Sequence, residues 1–187
     1  MEITIRSGRM EDANIIAQVI AMAIGDTGTM VHYCGENFIG VLEEIAQRDD
    51  SQYSYRNAIV AEVDGRPAGA IIAYDGAQLY ALRERTLAVI HRYNPEFRIV
   101  DDETEAGEYY LDSIGVLPEY RGLGIGRKLL LALKEEVARR KHPCIGLLVD
   151  PDNGVAERLY ESVGFRRMGT RLFIGHDMWH MQCEGLL

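Results

Sequence analysis

Apolar residues along this chain follow two periods, and the changes from one to the other divide it into elements. Residues 2–6 alternate as a short strand should, and residues 11–23 follow with Ile15, Ile16, Val19 and Ile20 at helical spacing. Residues 25–33 carry two glycines and a threonine-rich stretch, which predicts a loop before a second helix over 37–48 through Phe38, Val41, Leu42 and Ile45. Two apolar runs, 57–63 and 67–74, flank Asp64-Gly65 and read as a tight hairpin. Helical spacing returns over 77–93 through Leu79, Leu82, Leu87 and Ile90, until Asn94-Pro95 stops it. An acidic loop, 101–108, leads into a strand over 109–116. Leu129, Leu130, Leu133 and Val137 mark one face of the next helix, and a short apolar run, 144–149, comes after it. A helix over 153–163 then places Ala156, Leu159, Tyr160 and Val163 on one face and ends at Gly164, before two final strands over 165–169 and 174–183.

Composition narrows what such a chain can be. With 187 residues and 47% hydrophobic content it can bury one substantial core, so a single globular domain over 1–187 is expected. No apolar stretch reaches membrane-spanning length, and residues 1–4 have neither the basic start nor the apolar run of a signal peptide. A cytoplasmic protein without a membrane partner is the expectation. Cys34, Cys144 and Cys183 are few, odd in number and without metal-ligand spacing, so buried or incidental thiols are expected and no metal. The net charge of −9, from 20 Lys plus Arg against 29 Asp plus Glu, argues against nucleic acid, whose binding feeds on phosphate neutralisation. It mildly favours a cationic substrate by steering.

The chemistry is concentrated where the 109–116 strand runs into a basic, glycine-rich turn that opens a helix. Several N–H groups at a helix start lack intrahelical partners and the macrodipole there is positive, so a phosphate is held without a dedicated side chain. Gly122, Gly124 and Gly126 would remove the Cβ atoms that keep an anion away, and Arg121 and Arg127 would add charge-assisted donors. A dinucleotide fingerprint and a P-loop both require glycine where Arg127 stands, so both fail. What fits is Arg-x-x-Gly-x-Gly, Arg121-Gly122-Leu123-Gly124-Ile125-Gly126, which closely resembles the acetyl-CoA signature of the GNAT superfamily of acetyltransferases. A second stretch, from Asn153 through Ala156 and Leu159-Tyr160 to Gly164-Phe165, resembles that family's later signature.

The resemblance implies an α+β fold: a GNAT-like mixed sheet of about seven strands flanked by helices, with splayed central parallel strands. The helix and acidic loop over about 77–108 depart from the shorter family pattern and are expected to be an insertion near the acceptor site. By the same resemblance Ile114, Gly115 and Val116 would hold the pantetheine of acetyl-CoA, and one of their N–H groups would stabilise a developing oxyanion. The pyrophosphate would lie over Gly122, Leu123, Gly124, Ile125, Gly126 and Arg127, beside Arg121. Asn153 and Ala156 would flank the pantetheine arm, and Tyr160 would act as general acid toward the leaving thiolate. The base is sought among Glu108, Tyr110 and Asp112, which alternate onto one strand face. Asp112 is the first choice and Glu108 the second. His32 and Tyr33, in the loop expected between the first two helices, are candidates for the acceptor pocket.

These readings converge on an acetyl-CoA-dependent N-acetyltransferase acting by direct attack of a primary amine, with a small cationic acceptor favoured by the acidic insertion. The alternative is a non-catalytic acyl-CoA-binding sensor or regulatory module. The final strands around Trp179 offer an edge for a homodimer.

Overall fold

The structure, a computed structural model, describes residues 1–184; the last three positions of the expected 1–187 domain lie outside the described residues. Its elements are β1 (Ile3–Ser7), α1 (Ala13–Ile24), α2 (Thr27–Cys34), α3 (Phe38–Gln47), β2 (Ala58–Val63), β3 (Arg66–Asp75), α4 (Leu79–Ile90), β4 (Tyr109–Val116), α5 (Ile125–Arg139), β5 (Cys144–Val149), α6 (Gly154–Glu161), β6 (Arg166–Phe173) and β7 (His176–Glu184). Among the described residues seven strands form one sheet in the order β1-β2-β3-β4-β5-β7-β6, and only the β4–β5 pair is parallel. The α+β sheet with splayed central strands expected from the sequence is the one observed.

Alternation along the central strands explains the layers. Val60, Ala70 and Ile72 face α1 and α3, packing on Ile16, Val19, Ile20, Val41, Leu42 and Ile45. Their neighbours Ala61, Ile71 and Ala73 face the opposite way, joining Leu129, Leu133 and Val137 of α5 and Phe165. A strand stretch buried on both faces must be apolar, as β3 is from Ala68 to Ala73. Each large buried side chain contributes about 1.5–3 kcal/mol.

The β4–β5 ladder is short. Only residues Tyr109, Tyr110 and Leu111 pair with Ile145, Gly146 and Leu147, although β4 continues to Val116 and β5 to Val149. Beyond Leu111 the strands part, so the backbone of β4 facing β5 has no strand partner there.

Two expectations need correction. Residues 27–34 form a helix, α2, where a loop was expected, because Asp26 accepts hydrogen bonds from the N–H groups of Gly28 (2.9 Å) and Thr29 (3.0 Å) and caps it. The last hairpin turns at Ile174-Gly175, with φ of 51° and 75°, so β6 runs on to Phe173 where the sequence ended it at 169. An isoleucine is a poor turn signal because a β-branched residue is strained at positive φ. Trp179 lies on β7, one strand in from the sheet edge formed by β6, beneath the Arg167 guanidinium at 4.3 Å. Among the described residues no single helix is long and apolar enough to cross a membrane.

Candidate active site

The glycine turn leaves β4 through a 3₁₀ turn (Pro118–Tyr120) and enters α5 with Gly124 as its first cap. Gly122 and Gly124 adopt φ of 79° and 74°, which L side chains rarely do, and a Cβ on either would meet nothing. Gly126 serves differently: a Cβ there would lie 3.2 Å from Leu159 Cδ2, so its absence lets α6 close on α5. Gly115 likewise makes room for α1, since its Cβ would meet Met22 and Val19 at 3.2 and 3.4 Å. The turn therefore presents the open N–H groups of α5 without side-chain obstruction at two glycines, and packs tightly at the third. Ile125 is buried in the core and Leu123 packs at its edge.

The arginines are less free than their spacing suggested. Arg121 Nε donates to Val116 O at 3.2 Å, and Arg127 donates to Ser162 O (2.8 Å) and Oγ (3.0 Å), tying the end of α6 to the start of α5. Asn153 caps α6, its Oδ1 accepting from Ala156 N at 3.2 Å. Tyr160 lies 7% exposed against Phe165, ring centroids 5.8 Å apart, and burial pushes its phenol up to about 12. Among the described residues none hydrogen-bonds its hydroxyl.

A cavity of about 680 Å³ opens where β4 and β5 part. Its lining includes Tyr110, Asp112 and Ser113 of β4, Leu148 of β5, Asn153, Tyr33 of α2, Tyr53 and, from the segment between α4 and β4, Ile99 and Glu103. Five carboxylates line it, Asp26, Glu103, Asp112, Asp150 and Asp152, and no lysine or arginine does. His32 is absent from the lining; its ring stands edge-on to Phe97 at 6.1 Å. Ile114, Gly115 and Val116 continue β4 away from the cavity along the splayed edge, pairing with β3 on their other side.

Asp112 sits at a bulge. Ile72 pairs with Ser113 and the next β3 residue, Ala73, pairs with Leu111, so Asp112 has no opposing residue. Ser113 Oγ donates to Asp112 Oδ1 at 2.8 Å, and Tyr74 Oη lies 3.4 Å from Oδ2. Burial, and after it the charge of Glu103, pushes the Asp112 carboxyl up to about 7.

Glu108 has gone elsewhere. It is 2% exposed and accepts from Thr104 Oγ1 (2.7 Å), Gln182 Nε2 (2.8 Å) and His180 Nε2 (2.8 Å), and it does not line the cavity. Burial alone would raise its proton affinity, but these hydrogen bonds outweigh it and hold the carboxyl below its usual range. A Cβ on Gly146 would fall 2.0 Å from its carboxylate, so that glycine is what admits it to the sheet. Sequence spacing paired Glu108 with Asp112; the structure separates them. It brings in Glu103 instead, which no periodicity marked because its burial depends on Arg83, twenty residues earlier.

The family model for the acetyltransferase (GNAT) family matches residues 29–165. A mycothiol acetyltransferase of Nocardiopsis dassonvillei is 36% identical over 98 residues, 51% of this chain and 29% of that protein. The chain thus spans under a third of the length of that relative. A solved structure of an acetyltransferase is 33% identical, with 98% of this chain and all of that one covered and a TM-score of 0.82. The PaiA N-acetyltransferase of Thermoplasma acidophilum, solved with coenzyme A, shares the fold at 18% identity, with 98% and 99% of the chains covered and a TM-score of 0.59.

Proposed function

The chain belongs to the acetyltransferase (GNAT) family, and from that premise we propose that it transfers an acetyl group from acetyl-CoA to the primary amine of a small cationic acceptor by direct attack. The observation carrying this reading is the cavity at the β4–β5 splay, lined by five carboxylates, Asp112 among them, without a lysine or arginine. Such a pocket repels anionic acceptors and concentrates cationic ones.

The residues present fit the co-substrate. The β5-facing backbone of Ile114, Gly115 and Val116, unpaired beyond the splay, would hold the amides of a pantetheine arm. The open N–H groups from Gly122 to Gly126, beside Arg121, would hold its phosphates. When bound, acetyl-CoA supplies an acetyl group already activated as a thioester.

An amine titrating near 10.4 is mostly ammonium at pH 7, a deficit of about 4–5 kcal/mol at 1.36 kcal/mol per unit. Asp112, its carboxyl at about 7, accepts the ammonium proton and narrows that gap. The freed lone pair forms the C–N bond as the C–S bond breaks, the sulfur keeping the electron pair. Tyr160, held protonated by burial, donates a proton to that sulfur and recovers one from the amide nitrogen through solvent. One ammonium and one thioester give one amide, one thiol and one released proton.

Thiol release measured with acetyl-CoA and a panel of diamines, aminoglycosides, amino acids and peptides tests the reading. Amine-dependent release, fastest with small cations, is expected. Coenzyme binding with no acceleration by any amine would replace the enzyme with a non-catalytic acyl-CoA sensor.

A further inference from the structure

The insertion between β3 and β4 holds no part of the glycine turn, yet it sends one carboxylate into the cavity. Glu103 is 3% exposed and shares the lining with Asp112. Both its oxygens are engaged. Arg83 of α4 pairs with Oε2, and Gln52 Nε2 donates to Oε1 at 2.8 Å. Arg83 is itself bound to Asp102 at 3.0 Å and to the carbonyl of Asp101 at 2.9 Å, so the insertion closes on itself behind Glu103.

Tyr74 of β3 stands between the two acids. Its Oη accepts from Gln52 Nε2 at 3.0 Å and lies 3.3 Å from Glu103 Oε1 and 3.4 Å from Asp112 Oδ2. A phenol has one proton to donate, so this hydroxyl serves one of the two carboxylates at a time. We propose that Glu103 and Tyr74 are positioning residues for the base: Glu103 holds a second negative charge behind Asp112, and Tyr74 turns its single proton toward Asp112 when that carboxyl is charged and toward Glu103 when it has taken the substrate's proton. The inference rests on the acetyl-transfer reading for the use made of Asp112.

Besides Ser113, whose hydroxyl holds Oδ1, these two residues are the polar groups that set the proton affinity of Asp112. Tyr110 and Ser113 on its own strand, Tyr53 ahead of β2 and Tyr33 on α2 share its cavity. So do His176 of β7 and the acids Asp26, Asp150 and Asp152. The charge of Glu103 raises the proton affinity of Asp112, while the Tyr74 hydrogen bond lowers it. The two residues thus act with opposite sign, which a merely structural role would not reproduce.

The test is the pH dependence of kcat/KM at saturating acetyl-CoA for the full chain and the variants E103Q and Y74F, alongside a ¹³C NMR titration of the Asp112 carboxyl in the same proteins without amine. The acid limb and the carboxyl midpoint are expected to fall in E103Q and to rise in Y74F. Midpoints that stay at the wild-type value, or move the same way in both variants, would overturn the inference. Thermal melting checks the fold, and should E103Q not fold, an unmoved midpoint in Y74F is decisive by itself. If the wild-type chain acetylates no amine, the acetyl-transfer reading fails, and the carboxyl titration still decides whether the coupling exists.

Discussion

At the scale of single residues, the site sets activity against stability. Asp112 has a folded-state affinity raised from 3.8 to about 7. The stability it allows is fully present below pH 3.8 and is lost as pH rises through about 7, where the buried carboxyl must ionise. Asp112→Asn should therefore cut acetyl transfer by about 10²–10⁴-fold, the usual contribution of a general base. At pH 8 it should stabilise the fold by at most about 4 kcal/mol, measured by urea unfolding. Activity of the wild type should climb as pH passes about 7. Tyr160→Phe should slow turnover without abolishing it, since a thiol titrating near 8.5 leaves moderately well unaided, and coenzyme binding measured by calorimetry should be unchanged. Strand alternation singled out Asp112 and the family resemblance Asn153, and both line the cavity. Glu108 was singled out by the same alternation, but alternation ignores the bulge at Asp112 and the pull of His180 and Gln182 from a distant strand.

At the scale of elements, the glycine turn and its helix were readable because their signals are local. Positive φ at Gly122 and Gly124 follows from the turn itself, and amphipathic spacing from α5 itself. Gly124→Ala, with φ at 74° and open space around the new methyl, should cost about 1 kcal/mol of stability from backbone strain alone. It should also weaken coenzyme A binding by tilting the first turn of α5, which calorimetry would register. α2 escaped the sequence reading because Gly28 and the threonines count against a helix, whereas the Asp26 cap and the packing of Met30, Tyr33 and Cys34 into the core favour it. Tertiary contact overrode propensity there. The segment between β3 and β4 was visible as a helix and an acidic stretch, but its acids divide between solvent and interior in a way only their partners explain.

At the scale of the whole molecule, the sheet is nearly cut in two at the splay, and Glu108 acts as a bolt where the halves still pair. It precedes β4, fits over Gly146 of β5 and accepts from His180 and Gln182 of β7. Its carboxyl is held below the usual range, so the stability it provides is present above its unfolded value near 4.5 and is lost as pH falls through the lower folded one. Glu108→Gln should lower the melting temperature at pH 7 and flatten the loss of stability on acidification, read by thermal melts from pH 7 to pH 3. The sequence by itself marked the seven strands, most of the helices and the glycine turn, because each depends on residues close along the chain, and the mixed sheet they build followed from the family resemblance. The tertiary structure alone decided which acids share a cavity, and that Glu103 stands behind Asp112 while Glu108 does not. The physical reason is that a buried charge is tolerated only where partners from several elements meet it, and that meeting is written in no single stretch of sequence.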